Sequence, residues 1–89
     1  MQIIFDEAKD AENKRKHGVS LAEAEGLDWD DALTWLDTRR VYGEARMIAL
    51  GAIDGRLYCV VYVDREGARR VISLRKANYR EGLHYANQI

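Results

Sequence analysis

Arg46-Met47-Ile48-Ala49-Leu50-Gly51-Ala52-Ile53-Asp54-Gly55-Arg56-Leu57-Tyr58-Cys59-Val60-Val61-Tyr62-Val63-Asp64-Arg65-Glu66-Gly67-Ala68-Arg69-Arg70-Val71-Ile72-Ser73-Leu74-Arg75 holds three apolar runs rich in β-branched and aromatic residues, with no proline. Each run is long enough for a strand and too short, at its breaks, for a helix. Asp54-Gly55 between the first two is a type I′ hairpin signal, because both turn positions need φ > 0. Asp64-Arg65-Glu66-Gly67 predicts a second turn. Leu33-Thr34-Trp35-Leu36-Asp37 shows the same period of two, so four antiparallel strands follow one another as a meander.

Outward from this block, Ile3-Ile4-Phe5 reads as a short strand that joins the sheet, and Asp6 as the N-cap of a helix running to His17. Acidic residues at its start and Lys14-Arg15-Lys16-His17 at its end suit the helix dipole, and Gly18 suits a left-handed C-cap. Ser20-Leu21-Ala22-Glu23 has the spacing of a capping box, with Val19 placed to staple onto Ala24, and predicts a second helix ending near Gly26. Asp28-Trp29-Asp30-Asp31 shows no period and reads as a loop. Residues 77–88 place Tyr79, Leu83 and Ala86 on one helical face.

The expected class is therefore α+β in the order β-α-α-β-β-β-β-α, with two N-terminal helices and a C-terminal helix packed on one side of an antiparallel meander sheet. The other face would be open for function. Strict alternation along the last strand sends Arg69, Val71, Ser73 and Arg75 one way and Arg70, Ile72 and Leu74 the other, which places Arg70 on the core side.

At 89 residues, 47% of them hydrophobic, the chain (1–89) suits one compact domain with its chemistry at the surface. The start lacks a basic segment followed by an apolar run, and no stretch approaches the roughly 18 apolar residues of a membrane span, so a cytoplasmic location is expected. Cys59, the single cysteine, falls in an apolar run as a small core residue, which leaves neither a disulfide nor a thiolate metal site. The net charge of −1 conceals polarity: residues 1–38 carry −6 and residues 39–89 carry +5.

Ser73, Arg75 and Lys76 lie together just ahead of the closing helix, where guanidinium donors beside free helix amides make an anion site, with phosphate the obvious anion. The same arginines also serve solubility by pairing with Glu44, Asp64, Glu66 and Glu81. Lys16 and His17 either compensate the helix dipole or form a second basic wall, and His17 is a candidate for proton transfer. His84 packs or faces solvent. Glu23, Glu25, Asp28, Asp30 and Asp31 match no metal-binding spacing and read as a solvated acidic face. Trp29 and Trp35 serve as core or partner anchors.

In order along the chain, F-D-E-A-K, K-H-G-V-S, G-R-L-Y-C-V-V-Y-V-D-R, R-V-I-S-L-R-K-A and Y-R-E-G-L-H-Y resemble the BrnT toxin family over nearly the whole sequence. Val63 and Leu74 depart from the family's usual threonine and alanine. The resemblance implies a RelE-like fold, metal-free RNA cleavage without a cofactor, and neutralisation by a BrnA-like antitoxin that itself contacts operator DNA. By position it matches Lys16, His17, Arg65, Arg70, Ser73, Arg75, Lys76, Glu81 and Tyr85. On that basis His17, Arg65 and Arg75 are expected to act on the scissile phosphate, with Lys16, Arg70, Ser73, Lys76 and Tyr85 binding the flanking RNA. A non-catalytic nucleic-acid-binding or protein-interaction module is the alternative.

Overall fold

The structure is a computed structural model that describes residues 2–88. Its elements are β1 (Gln2–Ile4), α1 (Glu7–His17), a 3-10 helix (Leu21–Gly26), β2 (Leu33–Leu36), β3 (Met47–Ile53), β4 (Arg56–Arg65), β5 (Ala68–Lys76) and α2 (Tyr79–Ala86). β2 to β5 form the expected meander, with Asp54 (φ 49°) and Gly55 (φ 79°) both left-handed at the first hairpin. The second hairpin is as tight, turning on Glu66 (φ 47°) and Gly67 (φ 80°) alone.

Three expectations are corrected. First, the sheet is mixed rather than wholly antiparallel: its order is β1-β5-β4-β3-β2, and β1 adds to β5 in parallel, Gln2 opposite Ala68 and Ile4 opposite Arg70. A parallel return needs a long crossover, and the whole meander supplies it.

Second, there is one N-terminal α-helix. Leu21–Gly26 winds as a 3-10 helix, because Leu21, Ala24 and Leu27 recur every third residue and a 3-10 helix stacks such residues in one row. All three are buried. The expected capping box does not form: the Ser20 hydroxyl accepts from Ala22 N–H and donates to Asp10, whose carboxylate also accepts from Leu21 N–H. Gly51 lets this layer sit close to the sheet, since a Cβ there would meet Leu27 at 3.0 Å and Ala32 at 3.1 Å.

Third, the helices lie on both sides of the sheet. α1 and the 3-10 helix cover one face, over Ala49, Ile53, Val60, Tyr62, Val71 and Leu74. Tyr85 of α2 packs on the opposite face with Ile48, Leu50, Cys59, Val61 and Trp35. The two sets alternate along β3 and β4, as side chains of a strand must. No helix among the described residues is long and apolar enough to cross a membrane.

One edge problem has a specific solution. β1 reaches only as far as Arg70, which leaves the outer edge of β5 without a strand. The buried Asn13 of α1 takes its place: its carboxamide donates to Leu74 C=O at 2.8 Å and accepts from Leu74 N–H at 3.1 Å, while the same amide nitrogen donates to Val19 C=O.

Candidate functional site

A bulge governs where the arginines of β5 point. Val61 pairs with Ser73 but Tyr62 pairs with Val71, so Ile72 is an extra residue and the alternation changes phase there. Upstream of it, Arg69 falls on the α1 side and Arg70 on the α2 side, the reverse of the strict-alternation expectation. Arg69 is structural: it pairs with Asp64 at 2.7 Å and lies over the rings of Trp29 and Tyr62. Arg70, opposite Val63, shares the α2 face with Arg65 (opposite Ala68) and Arg75 (opposite Cys59), since residues paired across strands share a face.

The sheet therefore separates the residues expected to act together. On the α1 side, His17, Gly18, Glu23, Arg56, Tyr58 and Lys76 border an open cleft of about 500 Å³. Lys16, His17, Asn13 and Ile72 border a second, of about 210 Å³, where the bulge meets α1; Ser73 lines it at the edge of β5, but its pairing with Val61 sets its side chain on the α2 face with Arg75. His17 reaches both because the α1 C-cap, Gly18 at φ 72°, ends the helix at the rim of the sheet. Lys76 and Arg56 form no ion pair among the described residues, and Lys16 makes a loose one with Glu12 at 3.7 Å.

On the α2 side, Arg65 and Arg75 are both engaged. Arg75 forms a two-pronged pair with Glu81, each bond 2.8 Å, and Glu81 also caps α2 by accepting from Asn78 N–H. The guanidinium holds the Glu81 carboxyl below its usual range. Burial pushes the neighbouring Cys59 thiol up to about 11, as befits an inert core residue. Arg65 donates to Glu44 at 2.6 Å. Tyr85 is half-buried against the sheet, and His84 stacks edge-on to Trp35 with ring centres 5.7 Å apart.

The loop between β2 and β3, which sequence reasoning passed over, carries a second network. Asp37, its side chain wholly buried, accepts two bonds from the Arg39 guanidinium at 2.8 Å and one from the Tyr42 hydroxyl at 3.0 Å. Arg39, ahead of burial, holds the Asp37 carboxyl far below the ordinary carboxylate range. A depressed folded-state value stabilises the fold above about pH 4, the unfolded value, and is lost as acid protonates the group below it. Asp37→Asn is expected to lower stability at pH 7 and to flatten its decline between about pH 4 and pH 2 in urea titrations. An unchanged acid slope would mean that Asp37 does not anchor this loop.

Among the described residues, no group of three or more histidine, cysteine or carboxylate side chains is placed to hold a metal. A search of curated proteins finds no match. Among solved structures, the chain is similar to the ribonuclease toxin BrnT of Brucella abortus, known from a crystal structure at 1.1 Å, with a TM-score of 0.69 and 29% identity over 88% of this chain and 97% of that one. The family model described as ribonuclease toxin, BrnT, of type II toxin-antitoxin system matches residues 5–81. With the fold of one member and the family's sequence pattern over most of its length, the chain belongs to the BrnT family of ribonuclease toxins.

Proposed function

We propose that this chain is an endoribonuclease toxin that cuts RNA at the cleft between the end of α1 and the start of β4, by attack of the ribose 2′-hydroxyl and without a resident metal ion. The observation that carries the reading is the meeting of His17 with Lys76 and Arg56, two cations without carboxylate partners among the described residues, in one open cleft. His17 accepts the 2′-hydroxyl proton. The 2′ oxygen bonds to phosphorus, the bond to the 5′ oxygen breaks, and water in the open cleft protonates that leaving oxygen. Lys76 and Arg56 stabilise the negative charge that builds on the phosphorane, and Lys16 holds the next phosphate. Arg65 and Arg75 stay out of this step, since they lie across the sheet with their guanidinium groups on Glu44 and Glu81.

Membership of a type II toxin family supports an inhibitory protein partner. In this reading it is a BrnA-like antitoxin, operator DNA being met only through that partner. RNA incubated with the purified protein in EDTA is expected to yield 2′,3′-cyclic phosphate and 5′-hydroxyl ends. Cleavage that needs Mg²⁺ and leaves 3′-hydroxyl ends would overturn the mechanism. Binding without cutting would favour a non-catalytic RNA-binding module.

A further inference from the structure

We infer that Glu23 makes the His17 cleft selective for guanine, its carboxylate accepting two hydrogen bonds from the base of the nucleotide whose 2′-hydroxyl attacks. The inference rests on the proposal that this cleft cuts RNA, and it adds the choice of base, which the cleavage step leaves open.

Local geometry turns Glu23 toward the cleft. A 3-10 helix eclipses residues three apart, so Leu21 and Ala24 fill its buried row while Glu23 and Gly26 share another. That second row faces the end of β3. A Cβ on Gly26 would stand 3.6 Å from the Ile53 side chain, and Ile53 borders the cleft together with Glu23 and Asp54. Tyr58, half-buried on the same side of the sheet and opposite Lys76 on β5, supplies an aromatic wall against which a base can lie. At about 500 Å³ the cleft falls within the roughly 300–1,000 Å³ of small-molecule sites, a space for one nucleotide with its base.

Two carboxylates in a cleft for a polyanion need a reason. Glu23 and Asp54 both oppose the phosphate that Arg56 and Lys76 attract, yet neither side chain forms a hydrogen bond or ion pair among the described residues. Asp54 has a backbone role: with φ 49° it is the first residue of the hairpin turn. Glu23 is exposed on the 3-10 helix with both oxygens free. A free carboxylate offers two acceptors side by side and no donor. On its Watson–Crick edge guanine alone among the four bases presents two adjacent donors, N1–H and the 2-amino group, whereas adenine and cytosine set one donor beside an acceptor and uracil sets one between two acceptors. The edge that Glu23 fits is that of guanine.

3′-GMP is expected to bind the purified protein about ten-fold more tightly than 3′-AMP, the discrimination of one bidentate pair. Glu23→Gln is expected to remove that preference, because the amide sets a donor beside its acceptor and so matches adenine. Asp54→Asn takes the same charge from the same rim and keeps a residue suited to the turn. It is expected to tighten both nucleotides alike and to keep their ratio. Thermal melts confirm that both variants are folded. Equal binding of the two nucleotides by the wild type overturns the inference, as does a preference that survives Glu23→Gln or one that Asp54→Asn also removes, which would reduce the effect to charge. Cleavage gives a second readout: mapped products should end in guanosine 2′,3′-cyclic phosphate, and ends spread over all four bases overturn the inference while the cleavage proposal stands. Failure of that proposal reads differently, as RNA left uncut by a protein that still prefers 3′-GMP.

Discussion

Asn13→Leu is expected to cost the protein about 3–5 kcal/mol, since Asn13 is the buried residue of α1. Leucine keeps the branching and the number of heavy atoms of asparagine while removing every polar atom, so most of the effect reports the lost hydrogen bonds. Three backbone groups lose their partners together: the buried N–H and C=O of Leu74 and the part-buried C=O of Val19. Each unmet buried group costs about 1–3 kcal/mol, and the total is a large share of the roughly 5–15 kcal/mol that stabilises a small domain. Urea unfolding followed by circular dichroism measures it. Asn13→Asp keeps the acceptor and loses the donor, and is expected to fall between wild type and Asn13→Leu. A loss below about 1 kcal/mol in Asn13→Leu would mean that water replaces the carboxamide at the sheet edge.

His17→Ala is expected to reduce RNA cleavage by about 10²- to 10⁴-fold, the usual worth of a positioned proton-transfer group. Its effect on stability is small, because the side chain is exposed at the last turn of α1 and gives up no more than about 1 kcal/mol of dipole interaction. The pH–rate profile of residual activity should also lose the limb that the imidazole contributes. The same assay decides between the two faces of the sheet. If Arg75→Ala abolished cleavage while His17→Ala cut normally, the chemistry would belong to the α2 side and the clamp expected from the sequence would stand.

Local signals proved the most legible. Asp6, Gly18 and Asp54-Gly55 each set backbone conformation through their own side chain, or the lack of one, so their neighbours in sequence suffice to read them. The period of two across residues 46–75 revealed the meander for a similar reason. The second N-terminal helix was misread because a capping pattern outweighed the three-residue apolar spacing of Leu21, Ala24 and Leu27. Arg70 was misplaced by a single residue: Ile72 is apolar like its neighbours, and nothing in its identity announces a bulge. Arg56 stood at the start of a run already recognised as a strand. Register, once known, is what gives it neighbours.

By itself, then, the sequence determined the meander, the caps of α1, the buried thiol of Cys59, the basic C-terminal half and the kinship of its ordered motifs, because each depends on residues close together in the chain. Only the tertiary structure decided which side of the sheet each cation serves. That choice rests on the parallel return of β1, the bulge at Ile72 and the placing of α2 opposite α1, all of which join residues far apart in sequence. Side chains alternate every residue in a strand, so one inserted residue is enough to carry Arg70 from one face to the other.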